Sequence, residues 1–167
     1  MAGAMVPEMT TAREFTIHQY AVVRRTASLG RGVIVYPFSQ VGEAVLLGER
    51  VVIGSNCYIG DASMIGAGTR IQHGCFLPKR SRIGERVFIG PLTVFTDDKR
   101  PYAGNRNYNA QPPTVEDDVS IGAGCVILPG ITIGKHAMIG AGAVVVRDVP
   151  AGATYYGNPA KDNGGKR

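Results

Sequence analysis

The stretch Ile121–Val146 reads IGAGCVILPGITIGKHAMIGAGAVVV, and an isoleucine or valine returns in it at every sixth residue. Neither an α-helix, with a period of about 3.6 residues, nor a single strand, with a period of about 2, produces this spacing. The same phase runs from Ile17 to Phe95 and resumes at Val115. All 20 residues of the two series are apolar, which would occur by chance about once in 10⁷ trials at this composition.

The other positions of the hexad are patterned as well, and together they describe a coil with three sides. The fifth position is small or β-branched, as at Cys57, the second is often glycine, as at Gly48 and Gly54, and the fourth favours residues that tolerate a positive φ, such as Asn56. Because the fifth position lies two residues before the next first position, both point inward in strand geometry. Three such sides close a triangular coil of about 18 residues, and successive coils stack about 4.8 Å apart.

The pattern resembles the hexapeptide-repeat proteins, which fold as a left-handed parallel β-helix, and the resemblance covers about Ile17 to Ala160. The handedness is implied by the resemblance alone, since the period does not fix it and the general rule for parallel crossovers favours the right hand. We therefore predict an all-β, single-domain left-handed β-helix over residues 17–156. A leader (1–16) precedes it and a C-terminal tail (157–167) follows.

Composition and charge exclude several classes of protein. The chain has 167 residues, enough for one domain with a sizeable core, and its 23 glycines are spread regularly. The net charge of +5 suits a phosphorylated ligand, but no dense Lys/Arg tract is present, so nucleic-acid binding is not expected. No apolar run reaches the roughly 18 residues of a membrane span. Since no signal peptide is evident either, we expect a cytoplasmic protein.

The cysteines and histidines point to neither disulfides nor a metal. Three cysteines in no CxxC arrangement support neither a disulfide framework nor a zinc ribbon. We expect free thiols that fill core volume in one inward column. The expected column consists of Cys57, Cys75, Thr93 and Cys125. His18, His73 and His136 are about three coils apart, too far to share a metal within one subunit, so no metal site is predicted.

One break interrupts the repeat. Phe95 and Val115 are 20 residues apart, two more than a full coil. The simplest account is an extruded loop over about 100–113, a polar and turn-rich stretch that reads RPYAGNRNYNAQPP. Loops inserted on a rigid repeat scaffold usually carry function, although a purely ornamental loop is the alternative.

The tail and the loop start narrow the resemblance to a branch of the family. Gly157 to Lys161 reads GNPAK and resembles the end of the CoA-dependent acyltransferases, where this turn caps the solenoid near the adenine end of the cofactor. Phe95 to Lys99 reads FTDDK and resembles the Phe-Thr-Asn-Asp-Lys string of the nucleotide-sugar N-acyltransferases, with Asp97 as a departure. The histidine that several O-acetyltransferases carry at this place is missing.

This resemblance implies an acetyl-CoA-dependent N-acetyltransferase. Its acceptor would be the amino group, often at C3, of a UDP- or dTDP-linked amino sugar used in surface polysaccharide or glycan biosynthesis. An O-acetyltransferase of another small acceptor and a non-catalytic solenoid scaffold are the alternatives. An amine that attacks a thioester needs to lose a proton and to be positioned well. We therefore look for a carboxylate or imidazole near the loop.

The candidate site residues fall into three groups, and each also has a plain interpretation as a solvated or turn-forming residue. The catalytic candidates are His73, Asp97 and Asp98. The coenzyme A candidates are Gly122, Gly124, Lys135, Gly140, Gly142, Arg147, Asn158, Pro159 and Lys161. The substrate candidates are Lys99, Arg100, Arg106 and Tyr108. His73 and Asp97 fall on different corners of the prism, so they would meet only across a subunit interface.

Assembly follows from the outward strand positions. One of the three outward columns is nearly all apolar: Val22, Gln40, Tyr58, Phe76, Val94, Val126 and Val144. A soluble protein rarely leaves so long an apolar stripe in water, and a second copy in a closed cyclic arrangement would cover it. The family resemblance implies a homotrimer with its sites between subunits.

Overall fold

The computed structural model describes residues 15–164, and within them all regular structure is β-strand. Three sheets form the faces of a prism, and as far as Val145 each takes every third strand of the chain. Sheet A contains β1 (Thr16–Ile17), β4 (Ile34–Val35), β7 (Val52–Ile53), β10 (Arg70–Ile71), β13 (Phe88–Ile89), β16 (Ser120–Ile121), β19 (Met138–Ile139), β21 (Thr154–Tyr156) and β22 (Lys161–Asp162). Sheet B contains β2 (Val22–Val23), β5 (Gln40–Val41), β8 (Tyr58–Ile59), β11 (Phe76–Leu77), β14 (Val94–Phe95), β17 (Val126–Ile127) and β20 (Val144–Val145). Sheet C contains β3 (Ser28–Leu29), β6 (Leu46–Leu47), β9 (Met64–Ile65), β12 (Arg82–Ile83), β15 (Thr114–Val115) and β18 (Thr132–Ile133).

The strand register confirms the predicted β-helix. Neighbouring strands of successive coils run parallel, and Phe76 pairs with Tyr58 on one side and Val94 on the other. The exception is β22, which pairs antiparallel with β21 at the C-terminal end of the described residues. An all-β parallel solenoid with three short strands per coil is the architecture that the hexad pattern predicts, and it agrees with the left-handed β-helix that the resemblance implies.

The predicted extruded loop is confirmed as well. β14 of sheet B is followed by β15 of sheet C, so residues 96–113 extrude from one corner and replace no side of the prism. We call the corners by the sheets that they join: AB, BC and CA. The loop leaves the BC corner. Coils before and after it therefore stay in register, as the pairing of Val94 with Val126 demonstrates.

The first and fifth positions of the hexad fill the interior. The first-position residues from Val35 to Val145 are buried, and the fifth positions include five buried hydroxyl side chains. Those five are Ser39, Ser63, Thr69, Ser81 and Thr93. Each donates a hydrogen bond to a carbonyl oxygen of a corner, so the polar groups in the core are satisfied. No buried side-chain nitrogen or oxygen among the described residues lacks a partner.

The predicted cysteine column is present, and its thiols are free. The amide of Tyr58 donates to the carbonyl of Cys75, that of Phe76 to Thr93, and that of Val94 to Cys125. All three cysteines are buried and unpaired in disulfides. The neighbouring Cys57 thiol and burial raise the pKa of the Cys75 thiol, burial raises the pKa of Cys125, and the contact with Cys75 lowers the pKa of Cys57. Free buried thiols of this kind act as small apolar core residues.

The fourth positions carry the positive φ angles that the corners need. Glycine supplies several of them, but so do larger residues such as Phe38 (φ 64°) and Leu92 (φ 60°). Asp98 and Asp148 also occupy fourth positions, yet neither is among the described residues with positive φ. At Asp98 the chain leaves the coil for the loop, so the corner geometry of the repeat no longer applies.

Both chain ends limit what can be compared with the predicted boundaries. Residues 1–14 of the predicted leader and residues 165–167 of the predicted tail lie outside the described residues. Sheet A begins earlier than the hexad series, at Thr16. At the other end, Gly157 and Ala160 exchange backbone hydrogen bonds with Val144, so the GNPA turn lies against the last strand of sheet B. Across residues 15–164 the structure contains no helix long and apolar enough to cross a membrane.

Candidate active site

The extruded loop is fastened to the coils on either side of it. Arg80, one coil before, donates from Nη2 to the carbonyl oxygen of Ala110 over 3.0 Å. Where the two ends of the loop meet, the amide of Gln111 donates to the carbonyl oxygen of Asp97 over 2.8 Å. One coil after, the amide of Gly130 donates to the carbonyl oxygen of Gln111 over 2.7 Å. These bonds hold the two ends of the loop at the BC corner.

Asp97 faces a cleft between the loop and sheet B. The cleft encloses about 270 Å³. Its lining residues are Tyr58, Asp61, Phe76, Pro78, Lys79, Asp97 and Tyr108. The hydroxyl of Tyr108 donates to Oδ2 of Asp97, and the ammonium of Lys79 lies 4.7 Å from the centroid of the Tyr108 ring. We call this space the corner cleft.

In the corner cleft, Tyr108 is the hydrogen-bond donor to Asp97. Burial, followed by the hydrogen bond to Asp97, raises the pKa of Tyr108 to about 12. At neutral pH the phenol is therefore protonated and donates to the carboxylate. A second acidic residue, Asp61, lines the same cleft, and its Oδ1 accepts the amide of Glu43 over 2.8 Å. The charged residues of the lining are thus two aspartates and one lysine, a balance that favours a cation over an anion.

Asp98 is separated from its neighbour and faces the loop. Its Oδ1 accepts the amide of Arg100 over 2.8 Å, which is a turn that aspartate commonly forms. Its Oδ2 lies 3.5 Å from Nδ2 of Asn105. The two consecutive aspartates thus have different environments, and only Asp97 opens into the corner cleft. This contact pattern favours the turn-forming interpretation of Asp98.

His73 lies at the AB corner, across sheet B from the corner cleft. Its Nδ1 accepts the amide of Ser55 over 2.9 Å, and its ring lies edge-on to Tyr36 with centroids 6.3 Å apart. The neutral ring therefore carries its proton on Nε2, and His73 presents a donor to solvent. As expected from the hexad positions, His73 and Asp97 occupy different corners of one prism. The structure does not bring them together within one chain.

The glycines predicted for coenzyme A divide into two kinds. A Cβ at Gly122 would lie 2.5 Å from the amide nitrogen of Ala141, and one at Gly140 would meet the Cβ of Tyr156 at 2.7 Å. These two residues are glycine because the next coil passes too close for a side chain. Gly124 and Gly142 have positive φ, and nothing lies within 4 Å of an added Cβ there. They form an open strip along the AB corner.

The remaining coenzyme A candidates are spread over the prism. Lys135 lies at the CA corner, where its ammonium is 3.6 Å from Asp117, and Arg147 follows sheet B at the BC corner. Asn158 and Pro159 are joined by a cis peptide bond in the C-terminal turn, and Lys161 belongs to β22 beyond it. Only the C-terminal turn and the open glycines Gly124 and Gly142 therefore lie near the same end of the AB edge of sheet B.

The substrate candidates also separate. Lys99 and Arg100 line a cavity of about 390 Å³ enclosed by the loop itself, while Tyr108 belongs to the corner cleft. Arg106 lines neither space. Sequence reasoning missed Asp61 and Lys79 of the corner cleft. A signal was present, since both occupy the same third position as Asp97 in the two preceding coils of the BC corner.

Known proteins with this repeat agree with the architecture. Three segments, 26–61, 38–73 and 112–147, match the family described as bacterial transferase hexapeptide (six repeats). The acetyltransferase domain of PglB from Neisseria gonorrhoeae FA1090, solved with acetyl coenzyme A, is 25% identical, with a TM-score of 0.51 over 89% of this chain and 57% of that one. A hexapeptide-repeat acetyltransferase from Vibrio cholerae O1 biovar eltor, also complexed with acetyl coenzyme A, is 27% identical, with a TM-score of 0.58 over 81% and 72%.

A curated relative is similar over a shorter stretch. The 2,3,4,5-tetrahydropyridine-2,6-dicarboxylate N-acetyltransferase of Staphylococcus aureus (strain JH9) is 45% identical over 78 residues, which are 47% of this chain and 30% of that protein. The chain thus spans less than a third of the length of this relative. The family segments, in contrast, cover half of the chain. The chain therefore belongs to the bacterial transferase hexapeptide family.

Proposed function

We propose that the protein is an acetyl-CoA-dependent N-acetyltransferase that acylates the amino group of a nucleotide-linked amino sugar. The observation that carries the proposal is the corner cleft, where the carboxylates of Asp97 and Asp61 line one space beside the extruded loop. Membership of a transferase family and the acetyl coenzyme A bound to two structural neighbours support the acetyl donor.

The charge of the corner cleft favours an amine over an anion. An ammonium group that enters it gains attraction from two carboxylates, whereas a dicarboxylate acceptor would meet two like charges. Lys79 offsets part of this negative charge, but its ammonium lies against the Tyr108 ring. The tetrahydropyridine dicarboxylate named for the curated relative is for this reason our second candidate acceptor rather than the first.

The reaction needs little more than a positioned, deprotonated amine. The bound ammonium group first releases one proton to solvent. The amine nitrogen then forms a bond to the thioester carbonyl carbon, the carbon–sulfur bond breaks, and coenzyme A leaves as the thiol once a second proton of the nitrogen reaches the sulfur. Asp97 holds the amine and takes up the proton during attack, with Tyr108 keeping its carboxylate oriented. Acetyl-CoA would run along the AB corner beside Gly124 and Gly142, where open glycines leave room for a close approach.

The corner cleft and the open glycines of the AB corner lie on opposite edges of sheet B, so we extend the proposal to a homotrimer. Tyr58 and Phe76 stack on the outer face of sheet B with ring centroids 5.1 Å apart, and both are exposed. In a cyclic assembly that covers this face, the AB corner of one subunit meets the BC corner of the next. His73 of one copy then approaches the corner cleft of another, and its Nε2 can donate to the thioester oxygen.

The test is an acyl-transfer assay with a chosen panel of acceptors. The protein is incubated with acetyl-CoA and UDP- or dTDP-linked 3-amino sugars, their 3-hydroxy analogues, or 2,3,4,5-tetrahydropyridine-2,6-dicarboxylate, and thiol release is followed. We expect release with the amino sugars alone. Release only with the hydroxy analogues would assign O-acetylation, and release only with the dicarboxylate would assign the second candidate. Absence of acetyl-CoA binding would favour a non-catalytic scaffold.

A further inference from the structure

The loop contains a second cavity that the chemistry of acyl transfer does not use. It encloses about 390 Å³, within the size range of small-ligand sites. Its lining residues are Asp98, Lys99, Arg100, Tyr102, Asn105, Asn107, Asn109 and Gln111. We call it the loop cavity. It is distinct from the corner cleft, because the two lining sets share no residue.

The charged residues of the loop cavity have a net positive charge. Lys99 and Arg100 both line it, are exposed, and form no ion pair within residues 15–164. The one acidic residue of the lining, Asp98, has its oxygens engaged by the amide of Arg100 and the side chain of Asn105. Two cations beside one carboxylate are suited to a phosphate or diphosphate.

Beside these cations lie groups that suit a heterocyclic base. Tyr102 is 62% exposed, so most of its ring surface is free for stacking. The side-chain amides of Asn107 and Asn109 make no hydrogen bond within the described residues, so each retains donors and an acceptor. A planar, hydrogen-bonding base can stack on the ring and pair with the amides, as bases do on aromatic side chains elsewhere.

The corner cleft and the loop cavity are lined by two consecutive residues. Asp97 lines the corner cleft and Asp98 the loop cavity. We infer that the loop cavity is the nucleoside diphosphate subsite, with Lys99 and Arg100 on the phosphates, Tyr102 under the base, and Asn107 and Asn109 on its edge. The inference rests on the proposed function, since it places the sugar amine of the same ligand at Asp97.

The test measures binding of UDP and of inorganic pyrophosphate by calorimetry, without acetyl-CoA. We expect Tyr102→Ala to weaken UDP binding about tenfold, because base stacking on an aromatic side chain is lost, and to leave pyrophosphate binding unchanged. Tyr102→Phe keeps the ring and should restore UDP binding. Arg100→Gln should weaken both ligands about tenfold or more. Arg31→Gln, at the exposed CA corner, is the charge-matched control and should weaken neither.

The outcomes separate this inference from the proposed function. UDP binding that Tyr102→Ala and Arg100→Gln do not change, or no UDP binding by a protein that acetylates an amino sugar, would overturn the subsite and leave the function standing. UDP binding that follows the expected pattern in a protein without acyl transfer would overturn the function and leave the subsite. Equal losses of UDP and pyrophosphate in Tyr102→Ala would assign only a phosphate site.

Discussion

In the coils, the residue six places after an inward side chain is again inward, whereas between residues 96 and 113 no such relation holds. The coils form because one sequence pattern repeats. Each strand pairs with the strands of the coils above and below it, and its inward side chain must be of similar size to theirs to pack in the core. The loop is specified by a few particular contacts, such as Arg80 to Ala110 and Tyr108 to Asp97. The residues proposed for catalysis and substrate binding, such as Asp97 and Arg100, lie mainly in the loop.

Removing the loop tests this division most directly. Deletion of residues 100–113 joins Lys99 to Thr114 and brings Val115 to the sixth place after Phe95, so the hexad phase becomes continuous. We expect a folded β-helix by circular dichroism and complete loss of acyl transfer, since the corner cleft loses Tyr108 and the loop cavity disappears. An unfolded product would mean that the loop is part of the structural core.

A second experiment asks whether the coils contribute to function through assembly. Phe76 on sheet B and Phe88 on sheet A have similar exposure, 42% and 40%. Phe76→Glu should yield monomers without activity, because an unpaired charge in a packed interface is costly. Phe88→Glu is the matched control and should remain trimeric and active. Sedimentation velocity and the transfer assay give the result, and an active monomeric wild type would refute the assembly.

The two neighbouring aspartates allow a sharper test at the site itself. Asp97→Asn keeps the shape of the side chain but removes the charge and the basic oxygen, so we expect turnover to fall at least tenfold. Asp98→Asn can still accept the amide of Arg100 and should have a smaller effect. We also expect His73→Ala to lower turnover at least tenfold with little change in stability. Unchanged turnover in both Asp97→Asn and His73→Ala would leave positioning alone as the mechanism.

The same contrast explains which predictions could be made from the sequence. The strand order, the inward column of Cys57, Cys75 and Cys125, and the place of the loop all follow from stepping along the hexad, because in-register stacking converts sequence spacing into position. The site could be predicted only in part. Asp97 and Tyr108 were candidates, but their contact depends on how the loop folds back, and no period encodes that path.

The glycines illustrate a different limit. Gly122 is at a second position, where an added Cβ would lie 2.5 Å from the next coil, and Gly124 is at a fourth position with a positive φ and nothing within 4 Å of an added Cβ. The hexad position thus separates a glycine that makes room for the next coil from one that forms a corner. The period does not encode which open corner glycine a ligand approaches, because that depends on the surface around it.

The smallest expected effect compares one substitution in a coil with the same substitution in the loop. A Cβ at Gly134 would lie 2.6 Å from the backbone nitrogen of Ala151, so Gly134→Ala must shift a coil and should lower the free energy of unfolding by about 2 kcal/mol. Gly104 has a φ of 82° with nothing within 4 Å of an added Cβ. Gly104→Ala should cost about 1 kcal/mol or less, because it strains only its own backbone. Urea unfolding of both variants measures the difference, and a larger loss for Gly104→Ala would show that the loop, rather than the coils, limits stability.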